Sequence, residues 1–324
     1  MYFDPQIKER TEDFFNYEIL QKELANALNN RMTPLIAIYG LRRTGKTSLI
    51  HVVLRSQKKK YIWLDGRTIS SKKDFYQTLA REVQKQHRFH IRKISIRGID
   101  IDVKQSGADL DYLNKKRMVL VIDEAQLLKR IQLDNILAYI YDNHPRIKVV
   151  LSGSEAGMLE NFLGKNNAKA PLYGRAIFEL QTERLDPEKG SIFLREGAKQ
   201  IHVRISDEEI KDAIDHLDGI IGWLTKYGWY RQHLKHPQAL EKTVQEGKLV
   251  VREEFLRFSA RSSKMYELII HAVRDGARWE EIKRKVPTSD QQLSVMLKRL
   301  IGSGFLEKKD RIYSITDPLL RAAF

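Results

Sequence analysis

The segment Gly40-Leu41-Arg42-Arg43-Thr44-Gly45-Lys46-Thr47 constrains this chain more than any other. It fits the pattern GxxxxGK[ST]. An apolar, strand-like run, Leu35 to Tyr39, precedes it, and a helical pattern from Lys46 to Arg55 follows. In that strand–loop–helix setting the glycines let the backbone bend until its N–H groups converge on one point. The helix N-terminus adds a favourable dipole for an anion. The expected ligand is therefore a polyphosphate. Lys46 would set its charge against the β- and γ-phosphates, and the Thr47 hydroxyl would hold Mg²⁺. The candidate ligand-binding residues are Gly40, Arg42, Arg43, Thr44, Gly45, Lys46, Thr47 and Ser48.

A second signal is the run Met118-Val119-Leu120-Val121-Ile122-Asp123-Glu124, an apolar strand ending in two acids. Asp123 is placed to hold Mg²⁺, and Glu124 to orient or deprotonate an attacking water. An acid directly after the metal-binding Asp favours water as the nucleophile, so a small-molecule kinase is disfavoured. The strand Lys148 to Leu151 runs into Ser152-Gly153-Ser154. Polar side chains at strand C-termini face the ligand crevice of an open α/β sheet. Ser152 or Ser154 is the candidate for sensing the γ-phosphate or aligning the water. Arg175, in Pro171-Leu172-Tyr173-Gly174-Arg175, is a candidate arginine finger acting in cis or in trans. Its alternative is a structural ion pair.

Five apolar runs alternate with helical patterns, which predicts βαβ units and a parallel sheet. They are Leu35 to Tyr39, Tyr61 to Leu64, Met118 to Ile122, Lys148 to Leu151 and Ala176 to Leu180. Helical spacing covers Thr11 to Asn29, and the alternating stretch IRKISIRGIDIDV reads as a hairpin or extended insertion. After Leu185 only helices are expected to about Phe258, the strongest spanning Asp207 to Tyr230. From Ser262 the order helix, helix, helix, hairpin is that of a winged helix. The expected division is residues 1–184, an α/β core with an N-terminal helical segment; 185–261, a helical lid; and 262–324, the winged helix.

Lys and Arg number 57 against 42 Asp and Glu, a net charge of +15, which favours a polyanionic partner. In a winged helix, Gln291, Gln292, Lys298 and Arg299 would lie on the outer face of the third helix, and Lys308, Lys309 and Arg311 on the wing. Glutamine can pair with adenine, and wing cations contact phosphate. DNA is the expected macromolecular partner. The alternative is a winged helix that binds protein. There is no cysteine, so thiolate metal sites and cysteine nucleophiles are excluded. Apolar runs stop at five or six residues and the N-terminus has no apolar leader, so a cytoplasmic protein away from the membrane is expected.

Taken together, FDPQIKERTEDFF, GLRRTGKTSL, VLVIDEAQ, LSGS, PLYGR, LDGIIGWL and the terminal ITDPLLR make the chain resemble the archaeal ATPase family, in the STAND branch of AAA-related P-loop ATPases. The resemblance spans nearly the whole chain. It implies an α/β P-loop NTPase core of AAA+-like type, a helical lid, a C-terminal winged helix, ATP or ADP as ligand with Mg²⁺, and ATP hydrolysis coupled to a switch. One departure is Gly219-Ile220-Ile221-Gly222-Trp223, where Ile221 takes the place of the proline in the STAND Gly-x-Pro motif. A nucleotide-gated protein scaffold with slow or no turnover is the alternative, and self-association stays open.

Overall fold

Apolar and β-branched runs flanked by turn residues make five strands: β1 Leu35–Gly40, β2 Tyr61–Asp65, β3 Val119–Asp123, β4 Lys148–Gly153 and β5 Ile177–Thr182. They pair in parallel in the order β2-β3-β4-β1-β5. The computed structural model describes residues 1–86, 103–154, 162–164, 167–260 and 263–324. The expected parallel α/β core is present. The hairpin expected over IRKISIRGIDIDV lies outside the described residues except for Val103, which opens a helix.

Both faces of the sheet are covered, as an all-parallel sheet requires. Period-two alternation sorts its side chains. Leu35, Ala37, Leu120, Ile122 and Leu151 point into one apolar cluster, which holds Phe75, Leu79 and Leu137. Ile36, Ile38, Val119, Val121 and Val150 point into the other, with Leu24, Leu49 and Val53. The helices packed around the sheet are α1 Glu18–Asn29, α2 Lys46–Ser56, α3 Lys72–Gln86, α4 Val103–Lys116 and α5 Leu133–Asn143. The spacing predicts one helix from Thr11 to Asn29. Instead a 3-10 turn covers Thr11–Asp13, and Asn16 and Tyr17 take left-handed φ of 67° each, so α1 starts only at Glu18.

Past β5 come α6 Pro187–Gln200, α7 Asp207–Leu217, α8 Ile221–Arg231 and α9 Gln238–Ser259. Asp186 and Ser206 cap α6 and α7 through their side chains. The helical stretch expected from Asp207 to Tyr230 is broken at Asp218 and Gly219, both at positive φ. Gly219 is required there, because a Cβ would lie 1.9 Å from the Leu185 carbonyl oxygen.

The last segment contains α10 Ser263–Ala272, β6 Ala277–Arg278, α11 Trp279–Lys285, α12 Asp290–Gly302, β7 Leu306–Lys309, β8 Ile312–Ile315 and α13 Pro318–Ala323. Its three strands form an antiparallel sheet in the order β6-β8-β7. Lys309 pairs with Ile312, so the hairpin turn is the two residues Asp310 and Arg311, both at positive φ. One apolar cluster runs from Leu194 and Tyr227 through Phe255 to Leu297, Phe305 and Leu319. The helices α6 to α9 and the segment from α10 to α13 thus share a core. Among the described residues no helix is long and apolar enough to cross a membrane.

Candidate active site

The loop between β1 and α2 turns through left-handed backbone at Arg43 (φ 64°) and Gly45 (φ 88°). Gly40 packs so tightly on β5 that a Cβ would sit 2.2 Å from the Thr182 carbonyl oxygen. The Thr44 hydroxyl is buried, donating to the Leu41 carbonyl at 2.8 Å and facing the Thr182 hydroxyl at 2.7 Å. Its side chain braces the loop, leaving the backbone to meet a ligand. Lys46 is buried, and its ammonium donates to the carbonyls of Gly40 (2.9 Å) and Leu41 (2.6 Å). Ser48 faces the N-terminal segment, its hydroxyl accepting from the Lys8 N–H at 3.1 Å.

Because β4 lies between β1 and β3, its C-terminal serines stand between the phosphate loop and the acids. The Asp123 carboxylate accepts from the Thr47 hydroxyl at 3.2 Å and from the Ser152 hydroxyl. Burial raises the Asp123 pKa, against the pull of those two hydroxyls. A buried carboxylate beside a threonine hydroxyl is an oxygen donor set that suits Mg²⁺, which takes few protein ligands and completes its shell with phosphate and water. Glu124 accepts from the Ser154 hydroxyl at 2.9 Å and from the Gln126 amide at 2.6 Å. The structure therefore brings Ser152 to Asp123 and gives Ser154 the contact with Glu124. Gln126 was not singled out from sequence, although it stands two residues beyond Glu124.

Two cavities meet at Arg43, Gly45 and Ser48. One, of ≈ 520 Å³, is lined by Lys46, Thr47, Glu124 and Ser154, with Arg67, Glu254 and Arg257 completing its walls. The other, of ≈ 570 Å³, lies between the N-terminal segment (Tyr2 to Lys8, Phe14) and α8 (Ile221, Trp223, Thr225, Trp229). The first is polar and flanks the phosphate loop, and the second is aromatic. Together they suit a phosphate chain and a flat ring system. Phe3 pins the N-terminal segment in place by packing where a Cβ on Gly197 or Gly228 would come within 2.4 Å of its ring. Ile221 lines the second cavity as the first residue of α8, a position where proline is equally at home because that N–H has no intrahelical partner.

The two loop arginines turn away from the acids toward the C-terminal segment. Arg43 pairs with Glu254 at 2.6 Å and with Asp317 at 3.8 Å, and its guanidinium stacks 4.3 Å over Trp223. Trp223 in turn donates to Asp317 at 3.1 Å. Arg42 donates to the Ser303 carbonyl at 3.1 Å and lies 5.0 Å over Phe305. The Gly222 N–H donates to the Arg43 carbonyl at 3.0 Å. The phosphate loop is thus bonded directly to α8, α9 and the segment after β8.

Arg175 is not brought to this site. Ile177, two residues on, pairs with Leu35, at the end of β1 opposite Gly40. Five strand residues put about 16 Å between those ends. Arg175 instead pairs with Asp142 at 2.7 Å and lies 5.5 Å over Tyr141. Gln291, Lys298 and Arg299 are exposed on α12, and Lys308, Lys309 and Arg311 on the hairpin. Gln292 is exposed and accepts from the Thr288 hydroxyl at 2.7 Å.

A pH dependence follows from Lys46. Burial pushes its pKa down to about 8, against the attraction of Glu124 and Asp123. Below pH 8 the ammonium is charged before a phosphate arrives. Above it, binding must take up a proton. Affinity for ADP without divalent cation should therefore be flat to pH 8 and then fall by up to about tenfold per pH unit. Calorimetry between pH 7 and 9.5 checks this, and Lys46→Ala should show no such slope.

The chain matches a family model described as an ATPase domain predominantly from Archaea over residues 14–226, more than half its length. Among solved structures it is similar to the Walker-type ATPase PABY2304 of Pyrococcus abyssi, with 26% identity and a TM-score of 0.86, covering 100% of this chain and 99% of that one. The ORC2 protein of Aeropyrum pernix, in ADPNP and ADP complexes, matches at 16% identity and a TM-score of 0.52 over 97% and 93% of the two chains. The Thermotoga maritima RuvB Holliday junction branch migration motor matches at 16% identity and 0.50 over 98% and 96%. No curated protein matches. These likenesses show the α/β P-loop fold.

Proposed function

Since this chain belongs to the ATPase family found predominantly in Archaea, we propose that it binds and hydrolyses ATP with Mg²⁺ and uses the nucleotide to switch its C-terminal segment. The observation that carries this reading is the convergence of Lys46, Thr47 and Glu124 at one cavity, with Asp123 bonded to Thr47 behind its wall and Ser152 and Ser154 each bonded to one acid. Lys46 binds the β- and γ-phosphates. Thr47 and Asp123 hold the metal, which when bound neutralises charge on the phosphate oxygens. Glu124, held by Ser154 and Gln126, accepts a proton from the attacking water. The aromatic cavity between the N-terminal segment and α8 receives the base. Phosphate release from ATP, measured with and without Mg²⁺, tests the reading.

The switch is supported by the ties from Arg42 and Arg43 to Ser303, Glu254 and Asp317. Any shift of the phosphate loop loads those bonds. These ties reach Ser303 inside Ser263–Ile315 and flank that segment at Glu254 and Asp317. The segment has the element order of a winged helix, with α12 as its third helix and the Lys309–Ile312 turn as its wing. We read it as the output surface, with DNA as partner, on the exposure of its cations and the net charge of +15. A neighbour of the same fold is a Holliday junction branch migration motor. Replacing Lys308, Lys309 and Arg311 together by Ala should flatten the slope of log K against log salt by up to about 3 units and weaken all DNA sequences alike. Replacing Gln291 and Gln292 should narrow the gap between preferred and random DNA. Absence of DNA affinity even at low salt would favour a protein partner instead.

A further inference from the structure

The short loop after β2 is fastened to the strand end that carries both acids. Asp65 pairs in register with Asp123, and the Gly66 N–H donates to the Asp123 carbonyl at 2.8 Å. A Cβ on Gly66 would lie 2.6 Å from the Glu124 carbonyl oxygen, so the two loops are in direct contact. The next residue is Arg67. The Asp65 carboxylate grips one edge of its guanidinium, Nε at 2.9 Å and Nη2 at 2.7 Å, and also accepts from its backbone N–H at 2.9 Å. An arginine carries five N–H donors in a planar fork, so this pairing orients the group without consuming it. Arg67 lines the same ≈ 520 Å³ cavity as Lys46, Thr47, Glu124 and Ser154. The pairing with Asp65 holds it protonated more firmly than usual, burial opposing, with Asp123 and Glu124 adding their charge.

Arg42, Arg43 and Arg257 line this cavity too, but each pairs with a group on the C-terminal side of it rather than beside the acids. Arg42 and Arg43 engage the C-terminal segment, and Arg175 sits at the opposite edge of the sheet with Asp142. Arg257, across the cavity on α9, pairs with its neighbour Glu253 at 2.8 Å. Arg67 is the arginine fixed to the wall that holds the acid pair.

We propose that Arg67, oriented by Asp65, is a catalytic arginine supplied in cis to the γ-phosphate. The inference rests on the hydrolytic reading of this site. Water oxygen bonds to the γ-phosphorus as the bond to the β,γ-bridging oxygen breaks. The water proton passes to Glu124, and ADP leaves with the bridging oxygen's electron pair. Negative charge gathers on the bridging and γ-oxygens, and the guanidinium stabilises it there.

The test combines turnover with a binding ratio. Arg67→Ala should lower kcat by about 10²–10³-fold while ADP affinity stays within about twofold. Arg67→Lys should recover little, because an ammonium lacks the planar fork. Asp65→Asn should fall between the parent and Arg67→Ala. By calorimetry, Arg67→Ala should also reduce the preference for ATPγS over ADP by at least about fivefold, or roughly 1 kcal/mol. A kcat within about threefold of the parent, with the ATPγS-to-ADP ratio unchanged, overturns the assignment. If the parent itself releases no phosphate, the hydrolytic reading falls on its own. The ratio then decides Arg67: a reduced preference keeps it at the γ-phosphate and an unchanged one removes it.

Discussion

Glu124→Gln should bind MgATP as tightly as the parent and lower kcat by at least about 100-fold. The amide has nearly the shape of the carboxylate. Its carbonyl can still accept from the Ser154 hydroxyl and the Gln126 amide, which lie 2.9 and 2.6 Å from Glu124 Oε2. What is lost is a base for the water proton. Calorimetry gives the affinity and phosphate release gives the rate. Turnover at the parent rate would remove Glu124 as the water-activating group. The fold should be little affected, since Glu124 lines a cavity rather than an apolar core.

Lys46→Ala should weaken ATP and ADP binding by at least about 100-fold, close to 3 kcal/mol. The ammonium is the buried positive charge of the loop, bonded to the carbonyls of Gly40 and Leu41 beneath the phosphate site. Its removal takes away a charge-assisted contact to two phosphates and leaves two carbonyls without their donor. The melting temperature should change little next to the loss of binding, since Thr44 and Thr182 still brace the loop. Near-parental nucleotide affinity would sink the assignment of this loop.

Features written in consecutive residues were legible from the sequence. The five strands, the glycine loop and the Asp123–Glu124 pair are local patterns, and each appears where its pattern stands. Features made by distant residues were not. Phe3 anchors the N-terminal segment against Gly197 and Gly228, and Asp317 reaches Arg43 from the far end of the chain. Neither pairing has a local signature. Arg175 shows a different limit. Its segment adjoins a strand, as a finger's would, but every strand of this sheet runs the same way and the phosphate loop sits at their C-terminal ends. A residue before β5 is therefore at the far end of the strands from its own chain's phosphate loop, which removes the cis reading and leaves the trans one, and only topology reveals it. Arg67 follows a strand at the right edge, and the sequence there, Asp65-Gly66-Arg67, belongs to no pattern that would have flagged it.

The most direct test of the account is steady-state phosphate release from ATP by the full chain, beside Lys46→Ala and Glu124→Gln, with Mg²⁺ and then with chelator. The parent should release phosphate until chelation stops it, Lys46→Ala should release almost none because it binds nucleotide too weakly, and Glu124→Gln should release at least about 100-fold less although it binds MgATP as the parent does. A parent that binds ATP tightly yet releases phosphate no faster than Glu124→Gln would contradict the account and leave a nucleotide-gated scaffold in its place.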